Sequence, residues 1–207
     1  MPVLWAKYRP RPTLDLAGAK GETVYEVLGF LNEYSGRIVF EDNDVVERFY
    51  ANERDRAATF EALLRRLAEE QQISPAIREV DRESVTYLHS AHLRNALDAL
   101  YEDRREGGFS ERPEGMLPVL NFYVSASMFP ADRRDLKLAY LSGAYARYGR
   151  GNAIGFANAH HKAIVLADLL RDLGCGDVRV ESTVGYAPQT NVVYFSPSGE
   201  VRRFLKP

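Results

Sequence analysis

The sequence of 207 residues has a single cysteine, Cys175, and a single tryptophan. One thiol excludes an internal disulfide and any multi-cysteine zinc site. No apolar run approaches the ~18 residues of a membrane span. The opening Met1-Pro2-Val3-Leu4-Trp5-Ala6-Lys7 lacks the apolar core of a signal peptide. These absences lead to the expectation of a cytoplasmic protein with no membrane partner. An excess of one charge is missing too. There are 27 basic and 29 acidic residues, a formal net charge of −2, which excludes a polybasic tail protein. What remains is 45% apolar and 27% charged, the composition of a soluble globular chain. Its length suffices for one core or two small ones without covalent staples.

The strongest helical stretch runs from Asp135 to Tyr148 and is stopped by Gly149. Within it Ala139, Ser142, Gly143 and Ala146 fall at i, i+3, i+4 and i+7. That stripe of small residues would let another helix approach closely. Gly143 costs about 1 kcal/mol against alanine in a helix interior, so its presence calls for a packing reason. The first half holds a counterpart, Glu22 to Tyr34, with Gly29 in mid-helix and Ser35-Gly36 behind it. Aligning Gly29 with Gly143 puts Tyr34 on Tyr148. Further matches follow in the same order at nearly constant spacing: 62–67 with 168–173, 84–88 with 191–195, and 93–97 with 201–205. A repeat of this kind sets the whole fold.

Each copy reads as helix, strand or hairpin, helix, two strands, helix. The fold expected is α+β, an αββαββα-type unit in tandem, with two saddle-shaped antiparallel sheets packed through two central helices. In copy one the strands fall near 37–41, 45–50, 73–80 and 84–89, with Glu41-Asp42-Asn43-Asp44 as a hairpin turn. In copy two they fall near 152–157, 177–184 and 190–196. The second helices lie near 53–70 and 158–173, the latter with Asn158 as N-cap and Gly174 as its stop. Residues 1–20, with three prolines, read as an extended arm. Residues 21–102 form the first repeat, 103–132 a connection with one strand at 117–125, and 133–207 the second repeat.

Leu141-Ser142-Gly143-Ala144-Tyr145-Ala146-Arg147-Tyr148-Gly149 resembles the nine-letter signature of the LAGLIDADG proteins, keeping its Leu and both Gly. Val27-Leu28-Gly29-Phe30-Leu31-Asn32-Glu33-Tyr34-Ser35 lines up with it in the first copy, the closing glycine falling at Gly36. The resemblance implies two helices side by side on a pseudo-twofold axis, with Gly29, Ala139, Ser142, Gly143 and Ala146 at the helix interface. It also implies two sheets that lie on duplex DNA. The family's endonucleases hold metal with an acid at the eighth place of each motif. Here those places are Tyr34 and Tyr148, and neither supplies the carboxylate that Mg²⁺ prefers. Glu33 is the one nearby carboxylate. The resemblance therefore implies the fold without the catalytic acids, as in the WhiA-type regulators, although no helix-turn-helix domain is found here.

Charge is divided along the chain: residues 1–110 carry 15 basic and 20 acidic side chains, and 111–207 carry 12 and 9. Candidate DNA contacts are Arg37, Arg48, Arg78, Arg147, Arg150, Arg179, Gln189 and Asn191. Arginine suits phosphate oxygens and guanine edges because its planar fork donates parallel hydrogen bonds. The leading expectation is a monomeric, non-catalytic double-stranded DNA-binding protein with no cofactor. The alternatives are a divergent endonuclease or intron maturase using Glu33 with Mg²⁺, and a scaffold whose acidic first half faces a basic protein partner.

Other features carry less. His89 and His92, and the adjacent His160 and His161, lack the further ligands a metal site needs. The latter pair is expected in the first turn of the second helix. The glycine-rich Tyr148–Gly155 segment follows a helix and fits neither the Rossmann spacing nor a P-loop. Cys175, in a turn between glycines, has no partner for nucleophilic chemistry.

Overall fold

Two helices cross at the centre of the molecule, and each brings a glycine to the crossing. The computed structural model describes residues 21–33, 37–39, 44–82, 84–101, 103–112, 115–185 and 188–205. The expected arm at 1–20 and the eighth-place Tyr34 lie outside the described residues. The first half runs α1 (Gly21–Phe30), β1 (Arg37–Val39), β2 (Val45–Tyr50), α2 (Arg54–Glu70), β3 (Arg78–Arg82), β4 (Val85–His89) and α3 (Ala91–Asp98). Next come β5 (Asp103–Arg112) and β6 (Gly115–Tyr123). The second half runs α4 (Arg134–Tyr148), β7 (Gly149–Arg150), β8 (Ala153–Ala157), α5 (His160–Asp172), β9 (Gly176–Ser182), β10 (Thr190–Ser196) and α6 (Gly199–Phe204). Both halves follow the order αββαββα.

The central helices explain their own composition. Eight of the ten residues of α1 are buried, so it is apolar on nearly every side instead of along one stripe. A methyl group on Gly29 would lie 2.0 Å from the Tyr140 carbonyl oxygen, and one on Gly143 would lie 1.9 Å from that of Glu26. Backbone meets backbone at both points, which is the packing reason for two helix-interior glycines. The facing stripe of α4 is Tyr140, Gly143, Ala144 and Arg147, rotated from the stripe expected from the sequence. Ala139 is buried and Ser142 bonds Glu26 Oε1 at 3.3 Å, both beside the crossing. Ala146 is exposed and is no interface residue. A run of small residues shows that close approach is possible. Which edge of the run is used depends on the partner helix.

Each half lays a sheet on its second helix. The sheet β2-β4-β3 turns Phe49 and Leu88 toward Phe60, Leu64 and Leu67 of α2. Phe30 of α1 stacks on Phe60 with ring centroids 4.9 Å apart. The sheet β7-β8-β10-β9 turns Ile154, Phe156, Val193 and Phe195 inward, where Leu166 and Leu170 of α5 are also buried. All pairings are antiparallel. The closing helices begin alike. The Ser90 hydroxyl accepts from the Leu93 amide at 3.4 Å, and that of Ser198 from the Val201 amide at 3.3 Å. Each serine satisfies an amide that the first helical turn leaves unpaired.

Several details depart from the sequence reading. Strand β1 pairs with β6, Arg37 opposite Phe122, in a third sheet of order β1-β6-β5. The expected β1–β2 hairpin is therefore not the pairing observed. Its turn at 41–43 lies outside the described residues. The charged stretch after residue 102 is not plain connection, because β5 pairs along β6. Strand β3 begins at Arg78, after a segment in which Gln72 and Ala76 take positive φ. Ala159, not Asn158, is the N-cap of α5. Asn158 has a positive φ, and its Oδ1 accepts from the Gln189 amide at 2.6 Å.

Candidate functional site

The foot of α1 is where chemistry concentrates. After Phe30 the chain leaves the helix and turns Glu33 inward, 1% exposed. Its Oε1 accepts from the Tyr101 hydroxyl at 2.8 Å. Its Oε2 meets His161 Nε2 at 2.9 Å and the Val124 amide at 3.4 Å. Lys162 Nζ lies 3.9 Å from Oε1. Burial pushes the Glu33 carboxyl up. The Lys162 charge, with the His161 and Tyr101 contacts, outweighs that and holds it below the usual carboxylate range. Glu33 is thus a buried carboxylate in its ionised form.

Two buried cations close the helix end. Lys162, with almost no exposure, donates to the carbonyls of Leu28 at 3.2 Å and Leu31 at 2.6 Å. Tyr140, Tyr148 and Phe156 present their rings within 5.8 Å of Nζ. Arg147 is fully buried. It pairs with Glu47 at 3.0 Å and Glu53 at 3.0 Å, and donates to the carbonyls of Phe30 at 3.2 Å and Arg48 at 3.0 Å. Its guanidinium carbon sits 4.5 Å from the Phe49 ring centre. Cations at the C-terminal end of a helix satisfy its unpaired carbonyls and favour its dipole. Glu47 also accepts from the Asn32 amide, tying β2 to the same helix end.

The eighth-place residue of the second motif, Tyr148, packs its ring 5.0 Å from Phe156, beside both cations. Burial holds its phenol well above the ordinary range, so it stays neutral. Where the resemblance would call for a metal-binding acid there is a neutral phenol flanked by positive side chains. Among the described residues no group of three His, Cys, Asp or Glu side chains could hold a metal ion.

The sheet faces turned away from α2 and α5 carry four of the eight expected contacts. On the first, Arg48 of β2, Tyr87 of β4 and Val80 of β3 form one cross-strand row. The neighbouring row joins His89 to Arg78. Arg78 lies 3.6 Å from Asp44, whose carboxyl the 2.7 Å bond from His89 holds below its usual range. On the second face Arg150, Ala153, Tyr194 and Arg179 form a row across all four strands. The Arg179 guanidinium stacks 4.4 Å from the Tyr194 ring centre and bonds Glu181 at 2.9 Å. An open cleft of about 570 Å³ flanks this row, lined by Asn152, Asp177 and Ser196 among others. Tyr87 and Tyr194 hold equivalent places in the two halves.

Two expected contacts are corrected. Arg147 and Asn191 have no exposure, so neither can touch a nucleic acid. Arg147 is drawn inward by Glu47 and Glu53. Asn191 Oδ1 is held by Ser182 Oγ at 2.8 Å and meets His160 Nδ1 at 3.1 Å. Gln189 is half-buried, and the Arg37 side chain lies outside the described residues. His161, Lys162 and Tyr101 escaped the sequence reading as site residues. A signal existed for one of them: Lys162 precedes Leu166 and Leu169 by four and seven positions, within the apolar stripe of α5, where a lysine needs a buried partner.

Fold and site together define a tandem α+β pseudo-repeat whose central foot is neutralised by the protein's own cations. No protein-family model matches the chain, and no curated protein matches it. Among solved structures, the mesophilic variants of the homing endonuclease I-DmoI are similar, with a TM-score of 0.46 and 14% identity over 90% of this chain and 93% of that one. No helix among the described residues is long and apolar enough to cross a membrane.

Proposed function

We propose that this chain binds double-stranded DNA without metal-dependent cleavage, as a LAGLIDADG-like protein that has lost the metal-holding acids, in the manner of the WhiA-type regulators. The observation that carries the reading is the pair of outward arginine–tyrosine rows, Arg48–Tyr87 and Arg150–Tyr194–Arg179, at equivalent places in the two sheets. Arginine supplies phosphate contacts, and a tyrosine between cations offers a hydroxyl and a stacking face. Arg78 extends the first face and Gln189 borders the second. In this reading 21–102 and 133–207 are the two DNA-facing units, 103–132 joins them, 1–20 is an arm, and the protein works as a cytoplasmic monomer.

The nuclease alternative is disfavoured by the same site. Glu33 is already committed to Tyr101, His161 and Lys162, and Glu47 to Arg147. A gel-shift series with random-sequence duplex at low and moderate salt tests the proposal. Retardation that weakens steeply with salt supports it, because phosphate contacts release counterions. No retardation at low salt ends it.

A further inference from the structure

The capping and pairing at the foot of α1 account for Lys162 and Arg147 but not for His161. Its side chain is 22% exposed, while the Glu33 carboxylate behind it has no exposure. Because Glu33 is ionised, it can only accept, so His161 Nε2 carries the hydrogen and donates. The proton-free nitrogen of the neutral ring is then Nδ1, which has no partner among the described residues. Tyr123 fixes the ring from the side, edge-on with centroids 4.6 Å apart. The Tyr123 hydroxyl in turn lies 3.5 Å from Asn121 Nδ2, two residues back on β6. An oriented imidazole with an open acceptor nitrogen thus stands where the ends of α1 and β6 meet the start of α5. An acceptor nitrogen of this kind calls for a hydroxyl or water as the group it receives.

We propose that His161, oriented by Glu33, is a metal-free general base for the ribose 2′-hydroxyl of an RNA strand. The inference rests on the nucleic-acid reading of the sheets, since a sugar–phosphate backbone is common to both polymers. It adds a chemistry that DNA lacks: only ribose carries the internal hydroxyl. A single imidazole then suffices as base because the nucleophile is already attached to the reacting nucleotide. The 2′-hydroxyl proton passes to Nδ1 and O2′ bonds to phosphorus. The P–O5′ bond breaks, and the leaving oxygen takes its proton from the imidazolium or from water. The products are a 2′,3′-cyclic phosphate end and a 5′-hydroxyl end, and no metal, oxidant or other reactant enters. Glu33 touches no substrate atom and is a positioning residue, as the carboxylate behind a catalytic histidine is in other folds.

The test incubates the full chain with end-labelled single-stranded RNA in EDTA, and follows binding of the fully 2′-O-methylated strand in parallel. The expected result is cleavage to cyclic-phosphate ends. His161→Gln should lower kcat about 100-fold or more with KM unchanged, and Glu33→Gln should lower kcat about tenfold or more, also at constant KM. All three proteins should bind the methylated strand alike, which certifies their folding. If Glu33→Gln fails to fold, His161→Gln still decides. Cleavage unaffected by His161→Gln, or products without cyclic phosphate, overturns the inference. Binding of duplex DNA without any RNA cleavage overturns it while leaving the DNA-binding reading intact. Loss of all nucleic-acid binding overturns both.

Discussion

Arg147 of α4 and Glu47 of β2 form an ion pair of 3.0 Å between side chains that are 0% and 4% exposed, and the pair joins the two halves of the chain. Glu53 completes the guanidinium's carboxylate partners, and the Phe30 carbonyl binds α1 to the same group. Arg147→Ala would leave Glu47 buried with its charge unanswered. The expected cost is about 3–5 kcal/mol, read as a lower urea midpoint with unchanged slope. A variant within experimental error of the parent would show that the pair contributes nothing net.

The helix crossing makes a sharper demand. Gly29→Ala and Gly143→Ala each place a methyl about 2 Å from a carbonyl oxygen of the other helix. Neither backbone can yield without separating the helices. Each variant should lose about 3 kcal/mol or more, the upper end of what overpacking costs. Ala146→Ser, on the exposed side of the same helix, should change stability by no more than ~0.5 kcal/mol. Thermal unfolding of the three proteins checks the contrast, and an equal loss at Ala146 would contradict the observed crossing.

Glu33 sets the acid side of the stability curve. Its folded pKa lies below its unfolded value near 4.5. Its contribution is therefore fully present above that value and is lost as pH falls through the folded pKa. Chemical denaturation from pH 7 downward should show Glu33→Gln less stable than the parent near neutrality. The two should converge at acid pH. A gap that stayed constant with pH would mean that folding does not shift the carboxyl's pKa.

The sheet faces predict a graded effect on DNA. Arg48→Ala, Arg150→Ala and Arg179→Ala should each weaken duplex binding without regard to sequence and reduce the salt slope by about 1. Replacing the buried Arg147 should alter binding only through stability. Fluorescence anisotropy at several salt concentrations separates the two, and an unchanged slope in the Arg150→Ala, Arg179→Ala double variant would remove the second sheet from the interface.

Much of the architecture was legible because it is written in local pattern. The alternation in Val85–His89 and Thr190–Ser196 marks strands, and the apolar stripes of α2 and α5 mark amphipathic helices. The pairing of β1 with β6 was not legible, because strand sequences specify a pleated, half-buried place and not a neighbour. At the site, Glu33 stood out as a carboxylate beside the motif. Its partners did not, since Tyr101, His161 and Lys162 are far along the chain and meet it only after both halves pack.

The sequence alone determined the repeated element order, the two glycine-bearing central helices and the phenol of Tyr148 at the foot of the second, because helix periodicity and residue size act within a few turns of chain. Tertiary structure alone decided which edge of the small stripe touches α1, that Arg147 points inward instead of toward a ligand, and that His161 meets Glu33. Those outcomes depend on burying charge: a cation or carboxylate removed from water must find its counterpart, and only the assembled fold shows where that counterpart stands.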